Sequence, residues 1–193
     1  AAAGESEGAQ RTTTSTSTPT TGTFGLELSG ARIADGIDRE WIVSQLEQHL
    51  VLVFRDQFLT RAEQVEFGRH FGELTPAHPV VPVHPEHPEI LELDGAAGGR
   101  NAQWHTDVTF MPTPPAISVL VGDVTPESGG DTQWADTRTA YERLHPALRD
   151  AVDQLEAVHR ISPLAYWGVP FDTALGRDDA QRLYDDAARV PPV

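Results

Sequence analysis

Large apolar residues hardly occur in the first 22 positions and then recur with two different periods. Phe24-Gly25-Leu26-Glu27-Leu28 alternates, the pattern of a half-buried strand. Behind Asp38, which can cap a helix, Trp41, Ile42, Leu46 and Leu50 recur near helical spacing. Leu50-Val51-Leu52-Val53-Phe54 is a short apolar run and predicts a buried strand. Thr60-Arg61-Ala62-Glu63 is a capping box, and the helix it opens carries Val65, Phe67 and Phe71, with Gly72 as its stop.

The segment from Thr75 to Pro88 is rich in Pro and His, and each Pro holds the preceding residue extended. It predicts a loop of fixed shape, suited to the wall of a site, with His84 and His87 read as solvated. Strands are predicted at Glu89–Leu93, Ala116–Val121 and Thr132–Ala135, with a flexible Gly-rich loop at 94–100. Asp136 caps a helix carrying Tyr141 and Leu144. Pro146 suits the first turn of the next helix, with Leu148, Val152 and Leu155 inward. Residues 1–22, with the run Arg11-Thr12-Thr13-Thr14-Ser15-Thr16-Ser17-Thr18-Pro19-Thr20, are expected to be a disordered low-complexity tail, because they bury too little to offset ordering entropy. Residues 23–193 form the folded part.

The candidate chemistry sits in Trp104-His105-Thr106-Asp107-Val108-Thr109-Phe110. Read as a strand, residues i and i+2 share a face, so His105 and Asp107 stand side by side. An imidazole and a carboxylate so placed can fill two adjacent positions of a metal's coordination sphere. Two His and one carboxylate with open positions mark non-heme Fe(II) oxygenases. On the tripeptide alone, a surface strand with a solvated Asp is the better reading.

Three blocks change that balance. Asn101-Ala102-Gln103-Trp104-His105-Thr106-Asp107-Val108-Thr109-Phe110, Thr113-Pro114-Pro115-Ala116 and Gly129-Gly130-Asp131-Thr132-Gln133-Trp134-Ala135 together resemble the taurine dioxygenase family, from about Thr23 to about His159. The resemblance implies a mainly β double-stranded β-helix (jelly roll) with flanking helices, incomplete in this chain. It implies an Fe(II)- and 2-oxoglutarate-dependent dioxygenase that hydroxylates a small sulfonate or alkyl sulfate ester. Dioxygen is consumed, and 2-oxoglutarate is decarboxylated to succinate. His105 and Asp107 take the place of metal ligands, and Thr132 that of a donor to a 2-oxoglutarate carboxylate. His78, in a His-Pro step, and Asn101 take the places of contacts to the substrate's anionic group. Val81 stands where taurine-using relatives carry a Tyr that binds the sulfonate. Asp107 argues against a halogenase, which has a small residue there. The family's second His ligand and its co-substrate Arg come from a C-terminal segment, and the chain ends at Pro191-Pro192-Val193 about where that segment would begin. His145 and His159 lack the expected setting. The chain is therefore expected to be an N-terminal portion with two of three ligands, inactive alone. The alternative is a non-catalytic module without iron.

Charge and composition narrow the partners. Net charge is −15, from 29 acidic and 14 basic residues, which disfavours nucleic acid and anionic membrane. A small anionic substrate would need local positive charge. Without cysteine there are no disulfides, thiolate catalysis or Cys-held metals. No apolar run is long enough to span a bilayer. No secretory signal pattern is present as written, although the chain begins at Ala1, which leaves its true start open. A cytoplasmic location is the expectation, and a homo-oligomer stays open.

Overall fold

The computed structural model describes residues 16–20, 22–75, 83–94, 104–109, 111, 113–159 and 188–190. The chain divides into two compact units, Ala1–Phe58 and Leu59–Val193.

The first unit is a three-stranded sheet with one helix. Strand β1 (Thr16–Pro19) runs antiparallel to β2 (Leu26–Ser29), and β3 (Leu52–Phe54) runs parallel to β2 on its other side. A parallel pair needs a crossover, and α1 (Arg39–His49) supplies it. The Asp38 carboxylate accepts from the Glu40 amide at 2.9 Å, as its predicted capping role requires. Leu28 is 1% exposed and Ile42 2%, so the alternation in β2 and one helical stripe make the core. Trp41 is exposed, because its neighbour Ile42 takes the centre of the buried stripe. Glu27 points away from that core and pairs with Arg55 at 2.7 Å; hydrogen bonding to this guanidinium holds the Glu27 carboxyl below its ordinary range. The Gln57 amide clasps the turn after β2, accepting from the Ile33 amide and donating to the Ala31 carbonyl, both at 2.8 Å.

Strand β1 corrects the expected extent of the tail. Composition alone places Thr16–Pro19 in it, but Thr suits a pleated strand and β2 offers an open edge.

In the second unit α2 (Arg61–Arg69) opens with both halves of the capping box formed. It buries Val65, and Phe67 meets Phe71 edge to face with centroids 5.2 Å apart. Further along, His84 Nδ1 accepts from the amides of Glu86 and His87. His84 thus closes its own turn. Ile90 is buried, and Glu89 pairs with Arg69 at 3.2 Å. Helices α3 (Thr137–Glu142) and α4 (Pro146–Val152) follow, capped by Asp136 and His145. They are tied by Tyr141 donating to Asp153 and by the Arg149 guanidinium over the Tyr141 ring. Strand β4 (Ala157–His159) pairs antiparallel with β5 (Ala188–Val190).

Three predicted strands are absent from the described residues as ladders. Glu89–Leu93 makes a single bridge, Val83 to Leu91, while Ala116–Val121 and Thr132–Ala135 are irregular. Alternation prepares a strand, but only a neighbouring backbone that takes its hydrogen bonds makes one. As a result, α-helices hold more of the described residues than strands do. Among the described residues no helix is long and apolar enough to cross a membrane.

Candidate metal centre

The strand expected across His105 and Asp107 is not what the structure has. Residues 104–106 carry no ladder, and Asp107, Val108 and Thr109 form a turn. Val108 has φ of 42°, in the left-handed region that β-branched residues rarely enter. The turn brings the two side chains together by a route other than the pleat. His105 Nε2 lies 3.3 Å from Asp107 Oδ1, with both side chains about half exposed.

Each element of the turn is tied. Ser118 Oγ donates to Asp107 Oδ2 at 2.9 Å. The Met111 amide donates to the Val108 carbonyl at 3.0 Å. The Thr106 hydroxyl donates to Thr109 Oγ1 at 3.2 Å, and Thr109 Oγ1 lies 2.7 Å from Nδ1 of His159, at the end of β4.

The donor pair fits a divalent first-row metal. Imidazole nitrogen and carboxylate oxygen both suit Fe(II), and two donors at right angles about 2.1 Å from one ion stand about 3 Å apart. The observed 3.3 Å separation is close to that edge. Ser118 gives the carboxylate the outer hydrogen bond that ligating carboxylates need. Among the described residues there is no group of three or more His, Cys, Asp or Glu able to hold a metal.

Of the other sequence candidates, Thr132 is exposed in irregular chain, and no hydrogen bond ties it to this group among the described residues. His78, Val81 and Asn101 lie outside the described residues. His145 caps α4 through its Nδ1, which accepts from the Ala147 amide at 3.3 Å. Sequence reasoning missed Ser118 and the Thr109–His159 link. No local pattern marks them, since their partners are 11 and 50 positions away.

The model of the taurine catabolism dioxygenase TauD, TfdA family matches residues 16–189. The chain belongs to this family. This TauD, TfdA family chain is 44% identical over 143 residues to an alkylsulfatase of Acinetobacter baylyi, covering 72% of this chain and 45% of that protein. It is 43% identical over 145 residues to an alpha-ketoglutarate-dependent sulfate ester dioxygenase of Pseudomonas putida, covering 73% and 48%. The chain thus spans about half the length of these curated relatives. Among solved structures, a taurine dioxygenase from Burkholderia xenovorans matches with a TM-score of 0.65 and 29% identity, over 92% of this chain and 76% of that one. The family member therefore shares its fold with taurine-dioxygenase-type structures.

Proposed function

We propose that this chain contributes to an Fe(II)- and 2-oxoglutarate-dependent dioxygenase of jelly-roll fold that hydroxylates an alkyl sulfate ester or a small sulfonate. The observation that carries the reading is the His105–Asp107 pair, whose donors stand 3.3 Å apart with the carboxylate anchored by Ser118. Iron, when bound, supplies the oxidative decarboxylation of 2-oxoglutarate coupled to hydroxylation of a C–H bond. His105 and Asp107 would hold it. The Ser118 hydroxyl fixes the rotamer of Asp107, so that one oxygen stays turned toward the metal side. The Thr132 hydroxyl donates to a carboxylate of 2-oxoglutarate. His78 and Asn101 hold the anionic head of the substrate, and Val81 forms an apolar wall beside it.

The preference for sulfate esters rests on two supports. Valine at position 81 cannot donate a hydrogen bond to a sulfonate. The relatives at 44% and 43% identity are described as an alkylsulfatase and a sulfate ester dioxygenase.

The test uses the product of the whole reading frame, loaded anaerobically with Fe(II). Succinate formation and oxygen uptake are measured with a medium-chain alkyl sulfate, with taurine and with neither. Succinate coupled to the alkyl sulfate and abolished in His105→Ala and Asp107→Ala supports the reading. Turnover that does not depend on iron overturns it, and no turnover with any sulfate or sulfonate leaves the non-catalytic module as the better account.

A further inference from the structure

The 107–109 turn has a weakness and a brace. Its weakness is Val108, a β-branched residue at φ of 42°. Such a conformation persists only where the surroundings over-determine it. Two of its ties, Met111 to Val108 and Thr106 to Thr109, are made within the loop and move with it. A third comes from a distant part of the chain. His159 Nδ1 meets Thr109 Oγ1 at 2.7 Å across 50 positions of sequence. His159 is half-buried and sits in β4, where it is paired in register with Ala188 of β5. A side chain on a paired strand is a firmer anchor than another loop residue.

Thr106 donates to Thr109 Oγ1, and with Nδ1 of His159 unprotonated the Thr109 proton completes the link to it. Resting on the reading that His105 and Asp107 hold the metal, we propose that His159 is a positioning residue, which acts through the Thr109 hydroxyl to lock the turn that sets those two ligands at 3.3 Å. It is not a ligand itself. This role accounts for a histidine that neither the metal pair nor the helix caps employ. It also explains how a strained turn, rather than a strand, can present a fixed donor pair.

The experiment compares the parent chain with His159→Leu, His159→Asn, Thr109→Val and the double variant His159→Leu/Thr109→Val. Two readouts are taken on each. The first is amide hydrogen exchange at Met111, which reports the turn without any metal. The second is Mn(II) affinity by titration, with thermal melting as the folding control. Asparagine keeps an acceptor near the position of Nδ1; leucine and valine keep bulk but remove one end of the link. The expected result is that His159→Leu and Thr109→Val each speed Met111 exchange by about fivefold, with the double variant no faster than either. Mn(II) affinity falls about tenfold in both, the size typical of losing an outer partner of a metal ligand. His159→Asn stays within about twofold of the parent on both measures.

Unchanged Met111 exchange in both His159→Leu and Thr109→Val overturns the proposal. So does loss of Mn(II) binding in His159→Leu with full retention in Thr109→Val, which would make His159 a direct ligand. A parent chain that binds no Mn(II) counts against the metal reading alone, and the exchange result still decides the role of His159.

Discussion

Ser118 Oγ stands 2.9 Å from Asp107 Oδ2, and the other oxygen of the same carboxylate faces His105 Nε2 at 3.3 Å. Ser118 therefore fixes which oxygen stays beside His105, the one the proposed metal site would use. Ser118→Ala removes one exposed hydrogen bond, worth roughly 0.5–1.5 kcal/mol net. Mn(II) or Fe(II) affinity should fall about three- to tenfold, and Ser118→Thr should restore it. A titration in which Ser118→Ala binds as tightly as the parent would show that the carboxylate is oriented by something else.

The first unit should depend on very few side chains. Among the described residues, Leu28 and Ile42 are its most deeply buried large side chains. Leu28→Ala should cost about 2–5 kcal/mol and Ile42→Val about 0.5–1.5 kcal/mol in urea unfolding. A loss below about 1 kcal/mol for Leu28→Ala would mean that β2 is not the strand the unit is built around.

The capping box at Thr60 and Glu63 is reciprocal. The Glu63 amide donates to the Thr60 hydroxyl at 3.2 Å, and the Thr60 amide donates to the Glu63 carboxylate at 2.8 Å. Thr60→Ala should destabilise α2 by about 1 kcal/mol, and Thr60→Ser should lose much less. Amide exchange at the first turn of the helix is the direct measure, and equal rates in the two variants would dismiss the cap.

Asp136 gives a pH dependence with a definite sign. Its carboxyl is held below the ordinary range first by the Thr139 hydroxyl at 2.5 Å, then by the Thr139 and Arg138 amides. A carboxyl lowered in the folded state adds stability above its unfolded pKa, and that stability is lost as pH falls through the folded value. The start of α3 should therefore loosen from about pH 4 downward. Asp136→Asn keeps an acceptor but cannot titrate, so exchange at the Arg138 and Thr139 amides should lose this acid limb. An identical acid profile in the variant would assign it to other carboxyls.

Substrate choice follows from Val81 if the proposed function holds. A Tyr donor beside a sulfonate would contribute a charge-assisted bond of roughly 1.5–3 kcal/mol, or about one to two orders of magnitude in binding. A longer alkyl chain can offset that loss by about 0.8 kcal/mol for each buried CH₂. The whole enzyme should favour a medium-chain alkyl sulfate over taurine in kcat/KM, and Val81→Tyr should move the ratio toward taurine. Better turnover of taurine by the unmodified enzyme would refute this account of the pocket.

Local signals in the sequence determined local structure well. Asp38, the Thr60–Glu63 box, Asp136 and Pro146 mark helix starts that the structure has, because capping is satisfied within a few residues of chain. The alternation at Leu26–Leu28 likewise marks β2 and its buried face. The pairing of His105 with Asp107 was legible, but its cause was not: the sequence read a pleat where the structure has a turn at Val108. Whether an alternating segment becomes a strand depends on a partner elsewhere in the chain, which no local pattern contains. For that reason Thr16–Pro19 gained a strand on the edge of β2, while Ala116–Val121 has none among the described residues. The same physics hid Ser118 and His159. Each meets its partner through one hydrogen bond between residues 11 or 50 positions apart, and only the folded chain brings those atoms within reach.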